Sequence, residues 1–92
     1  MARVFKYKLA LEHDTELIEV PDGSCVVHVG VQGNDVAPSL WVLHGINETG
    51  ETRTRRYRVV GTGMEVDASQ TNYVGTCLYK GGQLVWHVFE IF

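Results

Sequence analysis

From Tyr73 to Phe92 the chain reads Tyr-Val-Gly-Thr-Cys-Leu-Tyr-Lys-Gly-Gly-Gln-Leu-Val-Trp-His-Val-Phe-Glu-Ile-Phe, two apolar runs separated by a glycine pair. Such runs on either side of a turn signal specify a β-hairpin, and Gly81-Gly82 supplies the positive φ angles of a tight turn. Counting outward pairs Leu78 with Val85, Cys77 with Trp86, and Thr76 with His87. Strict alternation then puts Tyr73, Cys77, Tyr79, Leu84, Trp86 and Val88 on one face, and Val74, Leu78, Val85, Phe89 and Ile91 on the other. A hairpin apolar on both faces needs cover on both, so one face belongs to a core and the other implies a partner surface.

A chain of 92 residues is expected to be a single domain, residues 1–92, near the size at which burial alone is marginal. Oligomerisation is the simplest supplement here. Cys25 and Cys77 both lie in apolar strand patterns and lack metal-like spacing, so they read as reduced, buried thiols of a cytoplasmic protein, with a disulfide as the lesser reading. His13, His28, His44 and His87 are scattered one to a segment, and no metal or other cofactor is expected. Charges interrupt the early apolar stretch Met1-Ala-Arg-Val-Phe-Lys-Tyr-Lys, and no segment reaches the ~20 apolar residues of a membrane helix. A soluble, intracellular protein with no membrane partner is expected. The net charge of -3 argues against a polymeric nucleic acid as partner, because such binding needs many cations on phosphates.

Period-two alternation recurs along the chain. Arg3 to Leu11 puts Phe5, Tyr7 and Leu9 opposite Lys6 and Lys8, as an edge strand would. A polar bend over residues 12–15 leads to a short strand, Glu16 to Val20, stopped by the turn Pro21-Asp-Gly-Ser24. Cys25 to Gln32 is apolar on both sides except for His28 and reads as a central strand. In the next strand, Ser39 to Ile46, Leu40, Val42 and His44 share one face while Trp41 and Leu43 share the other. A polar connection over residues 47–52 precedes Arg53 to Val60, which has Arg53, Arg55, Tyr57 and Val59 on one face and Thr54, Arg56, Arg58 and Val60 on the other. Gly61-Thr62-Gly63 ends that strand, and Met64 to Asn72 forms the long connection, with one helical turn around Asp67 to Gln70. Seven short strands without helical periodicity specify an all-β fold, a compact sandwich or small barrel.

The basic residues are uneven. Four of the eight Lys and Arg are Arg53, Arg55, Arg56 and Arg58, a local cationic strip beside Tyr57 in an otherwise acidic chain. Guanidinium groups take phosphate bidentately and stack on planar rings, so the strip with Tyr57 and Trp41 or Trp86 suits an anionic nucleotide. A solvated strand balanced by Glu48 and Glu51 is the other reading of the same residues. Either Arg53 with Arg55 and Tyr57 or Arg56 with Arg58 faces a given pocket. The second pair is favoured, because Gly61-Thr62-Gly63 follows it and offers main-chain donors. That turn lacks the residues of a P-loop, and glycine dihedrals alone also account for it. Trp41, Trp86, His44 and His87 fit core positions as well as ligand contacts. Serines and carboxylates form no recognisable catalytic spacing, so an enzyme is not expected.

The segments His28-Val-Gly-Val-Gln32, Leu40-Trp41, Arg56-Tyr-Arg-Val-Val-Gly-Thr-Gly63, Tyr73-Val-Gly-Thr76 and Gly81-Gly-Gln-Leu-Val-Trp-His-Val-Phe-Glu90 span nearly the whole chain. Together they resemble a family of small phage and prophage proteins of unassigned function, marked by the closing Trp-His-Val-Phe-Glu. This chain departs from that pattern at Met64, where many members carry His after the Gly-Thr-Gly turn. The chain is also similar, in its size and its lack of catalytic groups, to phage anti-defence proteins that sequester cyclic-nucleotide immune signals. The resemblance implies a homo-oligomeric sponge acting in the host cytoplasm during infection, with a small cyclic nucleotide as partner. A virion component, or an inhibitor that binds a host defence enzyme, would use the same apolar surfaces.

Overall fold

The structure is a computed structural model that describes residues 2–9, 11, 16–45 and 50–92. The bend over residues 12–15 and residues 46–49 of the polar connection, with His13 and Glu48, lie outside the described residues. Seven strands follow in chain order: β1 (Arg3–Lys8), β2 (Glu16–Pro21), β3 (Cys25–Gly30), β4 (Ser39–His44), β5 (Thr52–Gly61), β6 (Thr71–Tyr79) and β7 (Leu84–Ile91). They form two antiparallel sheets, one ordered β1-β4-β3 and the other β2-β5-β7-β6. The fold is all-β, as the alternation and the turn signals specify.

The sheets pack through the apolar sides of their strands. Leu9, Leu40 and Val42 from the first sheet and its flank meet Ile18, Val20, Tyr57, Val59 and Val88 from the second, all buried in one cluster. β4, flanked on both sides, supplies two of the most deeply buried residues, Leu40 and Val42. The expectation that Cys25 to Gln32 is central is corrected, because β3 is an edge strand. A register shift between Val26 and His28 lets Val26 and Val29 both pack against the core and leaves Val27 half exposed. Cys25 is exposed in consequence, whereas Cys77 is buried, so only one of the two thiols is the core residue expected.

The C-terminal hairpin has the expected register, with Leu78 opposite Val85, Cys77 opposite Trp86 and Thr76 opposite His87. Its turn differs. Four residues join Tyr79 to Leu84, and the positive φ angles fall on Lys80 (50°) and Gly82 (103°) rather than on the glycine pair. A second register shift, between Tyr73 and Gly75 in β6, alters the two faces. Val74 turns inward against the core, and Tyr73 turns outward to pack edge-on against Phe89, with ring centroids 5.8 Å apart. Both residues occupy the faces opposite to those that strict alternation assigns.

The bulged stretches of β3 and β6 adjoin where the edges of the two sheets meet. A Cβ on Gly75 would lie 2.8 Å from Val29 Cγ2 and 3.1 Å from Val29 Cβ. Gly75 has no positive φ among the described glycines that do, so the side chain is excluded by space and not by dihedral angle.

A candidate anion-binding face on the second sheet

Register alone arranges the outer face of the second sheet in rows. Leu17, Arg56, Ile91 and Thr71 lie side by side across β2, β5, β7 and β6. Arg58, Phe89 and Tyr73 form the next row, and Val60, His87 and Thr76 the one after it. Leu78 beside Val85 completes the face towards the hairpin turn. The face thus carries two guanidinium groups, an edge-on aromatic pair and a line of hydroxyls beside an imidazole.

Three hydrogen bonds join the polar side chains into a chain. Tyr73 Oη meets Thr76 Oγ1 at 2.7 Å, Thr76 Oγ1 meets His87 Nδ1 at 3.0 Å, and His87 Nε2 meets Thr62 Oγ1 at 2.8 Å. Both ring nitrogens of His87 are therefore engaged by hydroxyls, each of which both donates and accepts. The bulge is essential to this arrangement. Tyr73 and Thr76 are three residues apart and would face opposite ways in a regular strand, whereas the extra residue brings them to one face.

Beside this chain, Arg58 lines an open pocket of about 500 Å³ with Glu65, Val66 and Asp67. Asp67 accepts hydrogen bonds from Ser69 N and Ser69 Oγ, which steadies the short 3-10 turn Ala68–Gln70 that carries the connection back to β6. Arg56 donates from Nη2 to the carbonyl of Phe92 at 2.6 Å, which ties the chain end to β5.

The arginine strip is split by the strand. Arg56 and Arg58 reach the outer face with Thr62 and His87, while Arg53, Arg55 and Tyr57 alternate to the inner side. Arg53 lies 3.9 Å from Asp22 of the β2–β3 turn. Tyr57 is 1 % exposed, and its Oη has no hydrogen-bond partner among the described residues. Burial pushes the Tyr57 phenol above its ordinary range, with Glu90 adding to the shift and Arg55 opposing it. Tyr57 is thus a core residue held apart from the outer arginines.

The tryptophans are separated from the site in the same way. Trp41 belongs to the first sheet, where it packs against His28 with ring centroids 5.2 Å apart. Trp86 packs against the core and donates from Nε1 to the carbonyl of Val36 at 3.0 Å. In the glycine turn, the N–H of Gly61 is directed at Met64 Sδ at 3.1 Å, and Met64 N donates back to the carbonyl of Gly61. Gly63 takes a φ of 93°, a dihedral requirement that accounts for its residue type. Thr62 is the member of this turn whose side chain joins the site.

Tyr73, Thr76 and Phe89 escaped the sequence reading of the site. The signal for Tyr73 was present, because a glycine inside a strand pattern marks a bulge and Gly75 is such a glycine. No curated protein and no solved structure is significantly similar to the chain. A family model does match it, over residues 1–91, and the chain belongs to that family, described as Domain of unknown function (DUF7352).

Proposed function

We propose that the chain is a phage-encoded binding protein that sequesters an anionic cyclic nucleotide on the outer face of its second sheet and leaves the ligand chemically intact. The observation that carries this reading is the row Arg58, Phe89 and Tyr73 beside the hydrogen-bonded chain from Tyr73 to Thr62. A phosphate suits the guanidinium of Arg58, with Arg56 on the same face, and a base plane suits the aromatic pair. Glu65 and Asp67 at the pocket rim accept from base amino groups or ribose hydroxyls, which a bare phosphate lacks. Because the His87 ring lies between two hydroxyls, Thr62 Oγ1 and Thr76 Oγ1, recovery of the ligand unaltered is the observation that separates sequestration from cleavage.

Self-association is part of the proposal. Leu17, Tyr73 and Leu78 are 59 %, 62 % and 59 % exposed on the same face, so a second copy covering its margins would bury apolar surface and shield the ligand from water. The resemblance to the phage family supports action in the host cytoplasm during infection. Isothermal titration against a panel of cyclic di- and trinucleotides tests the reading. One member of the panel binds with a Kd of about 1 μM or tighter, about -8 kcal/mol, and mass spectrometry of the denatured complex recovers it unaltered. Absence of binding across the panel, with the protein found in purified virions, would replace this function with a virion role.

A further inference from the structure

The hydrogen-bonded chain Thr62–His87–Thr76–Tyr73 has a property that a set of separate hydroxyls would not have. A neutral imidazole carries one proton, so one ring nitrogen donates and the other accepts. With the proton on Nε2, His87 donates to Thr62 Oγ1 and accepts from Thr76, which in turn accepts from Tyr73. Thr62 then has its hydroxyl hydrogen free for a ligand, and Tyr73 has spent its own. With the proton on Nδ1 every bond reverses, and Tyr73 holds the free donor while Thr62 has spent its hydrogen. A neutral His87 therefore leaves one end of the chain as a donor and the other as an acceptor.

The imidazolium breaks this rule. Both ring nitrogens donate, Thr62 and Thr76 both accept, Thr76 passes its own hydrogen to Tyr73, and both ends then carry free O–H donors. We propose that this chain selects ligands with hydrogen-bond acceptors at both ends, the oxygens of phosphate groups, and that binding them draws a proton onto His87. The inference rests on the phosphate-binding reading of the face given above. Before binding, the exposed ends of the chain meet water, which donates and accepts equally well. A ligand that only accepts removes this indifference.

The groups around His87 are compatible with such a change. On β5 its cross-strand neighbour is the buried Val60, with Arg58 two residues away and beside Phe89. On β6 it faces Thr76, with Tyr73 beyond. The connection after β5 contributes Glu65 and Asp67, which line the Arg58 pocket. Glu90 of β7 alternates to the inner face, beside Tyr57. Histidine changes charge between about pH 5 and 8, so the linkage acts within the ordinary working range.

Sulfate is the probe, because it accepts at every oxygen and does not titrate over that range. Imidazole nitrogen-15 NMR of the full chain follows the titration midpoints of His87, His28 and His44 in sulfate and in chloride at matched ionic strength. The midpoint of His87 is expected to rise by about one unit in sulfate, equivalent to about tenfold tighter sulfate binding to the protonated form. Those of His28 and His44 are expected to stay together between the two salts. Thr62→Val and Thr76→Val are each expected to abolish the selective rise, and Thr62→Ser to preserve it. An unmoved His87 midpoint, or a rise that survives Thr76→Val, would overturn the inference. A selective rise in sulfate together with failure of the whole nucleotide panel would keep the proton-linked site and reject the nucleotide reading.

Discussion

Gly75→Ala tests the packing that holds the bulged strand against its neighbour. The new Cβ would meet Val29 Cγ2 at 2.8 Å and Val29 Cβ at 3.1 Å. Rotating Val29 about χ1 moves its methyl groups and leaves its Cβ where it is, so a rotamer change cannot relieve the second contact. The edges of β3 and β6 must separate instead. Overpacking of this kind costs about 1–3 kcal/mol, and the reduced freedom of the unfolded chain returns about 0.4–1 kcal/mol, so a net loss of about 1–2 kcal/mol is expected. For a domain of this size that lowers Tm by roughly 5–15 °C. Urea unfolding followed by tryptophan fluorescence measures the loss, and the double variant Gly75→Ala/Val29→Ala isolates its cause. Removing the Val29 methyls eliminates the 2.8 Å contact and leaves only the 3.1 Å approach to Cβ, which a strand shift of a few tenths of an ångström relieves, so the double variant should exceed the additive expectation by about 1 kcal/mol. A Gly75→Ala variant as stable as the wild type, or strict additivity in the double variant, would refute the packing account.

On the proposed function, Arg58→Ala should weaken binding of a cyclic nucleotide by about 2–4 kcal/mol, while Arg55→Ala on the inner side should leave affinity within about threefold; calorimetry of both variants compares them. Cys25 should react with a thiol reagent within minutes in the native protein and Cys77 only on unfolding, because Cys77 is buried and its burial pushes the thiol pKa up; mass-resolved labelling reads each site. Tyr57 has its phenol pKa raised in the folded state, so its contribution to stability is intact below the ordinary value of 10.0 and declines as pH rises above it, when the unfolded chain gives up its proton first. Tyr57→Phe should flatten that alkaline loss in denaturation curves and cost little at neutral pH, since Oη has no hydrogen-bond partner among the described residues. An alkaline limb unchanged by the substitution would contradict the assignment.

What the sequence disclosed, and what it withheld, follows from the reach of alternation. Period two correctly divides β5 into an inner side with Arg53, Arg55, Tyr57 and Val59 and an outer side with Arg56, Arg58 and Val60, because the pairing of β5 with β2 and β7 is regular. It fails where an extra residue enters the strand. One shift near Val74 exchanges the faces of Tyr73 and Val74, and another between Val26 and His28 exposes Val27 on an apolar edge strand. The turn after Tyr79 shows a related limit, because Lys80 adopts a positive φ that the sequence assigns to the glycine pair. Trp41 and Trp86 read as apolar strand residues; the division into two sheets removes Trp41 from the arginine face, whereas Trp86, on β7 of the same sheet as the arginines, faces inward against the core. Local pattern identifies which residues share a strand face, and sheet order decides which faces meet.

Amide NMR mapping of a cyclic dinucleotide onto the intact chain addresses the site most directly. The account predicts saturable shifts concentrated at Arg58, Thr62, Tyr73, Thr76, His87 and Phe89, which share the outer face of the second sheet, with Trp41, Arg53 and Arg55 unmoved. Shifts centred on Trp41 and His28 of the first sheet, or a spectrum unchanged at millimolar ligand, would contradict it.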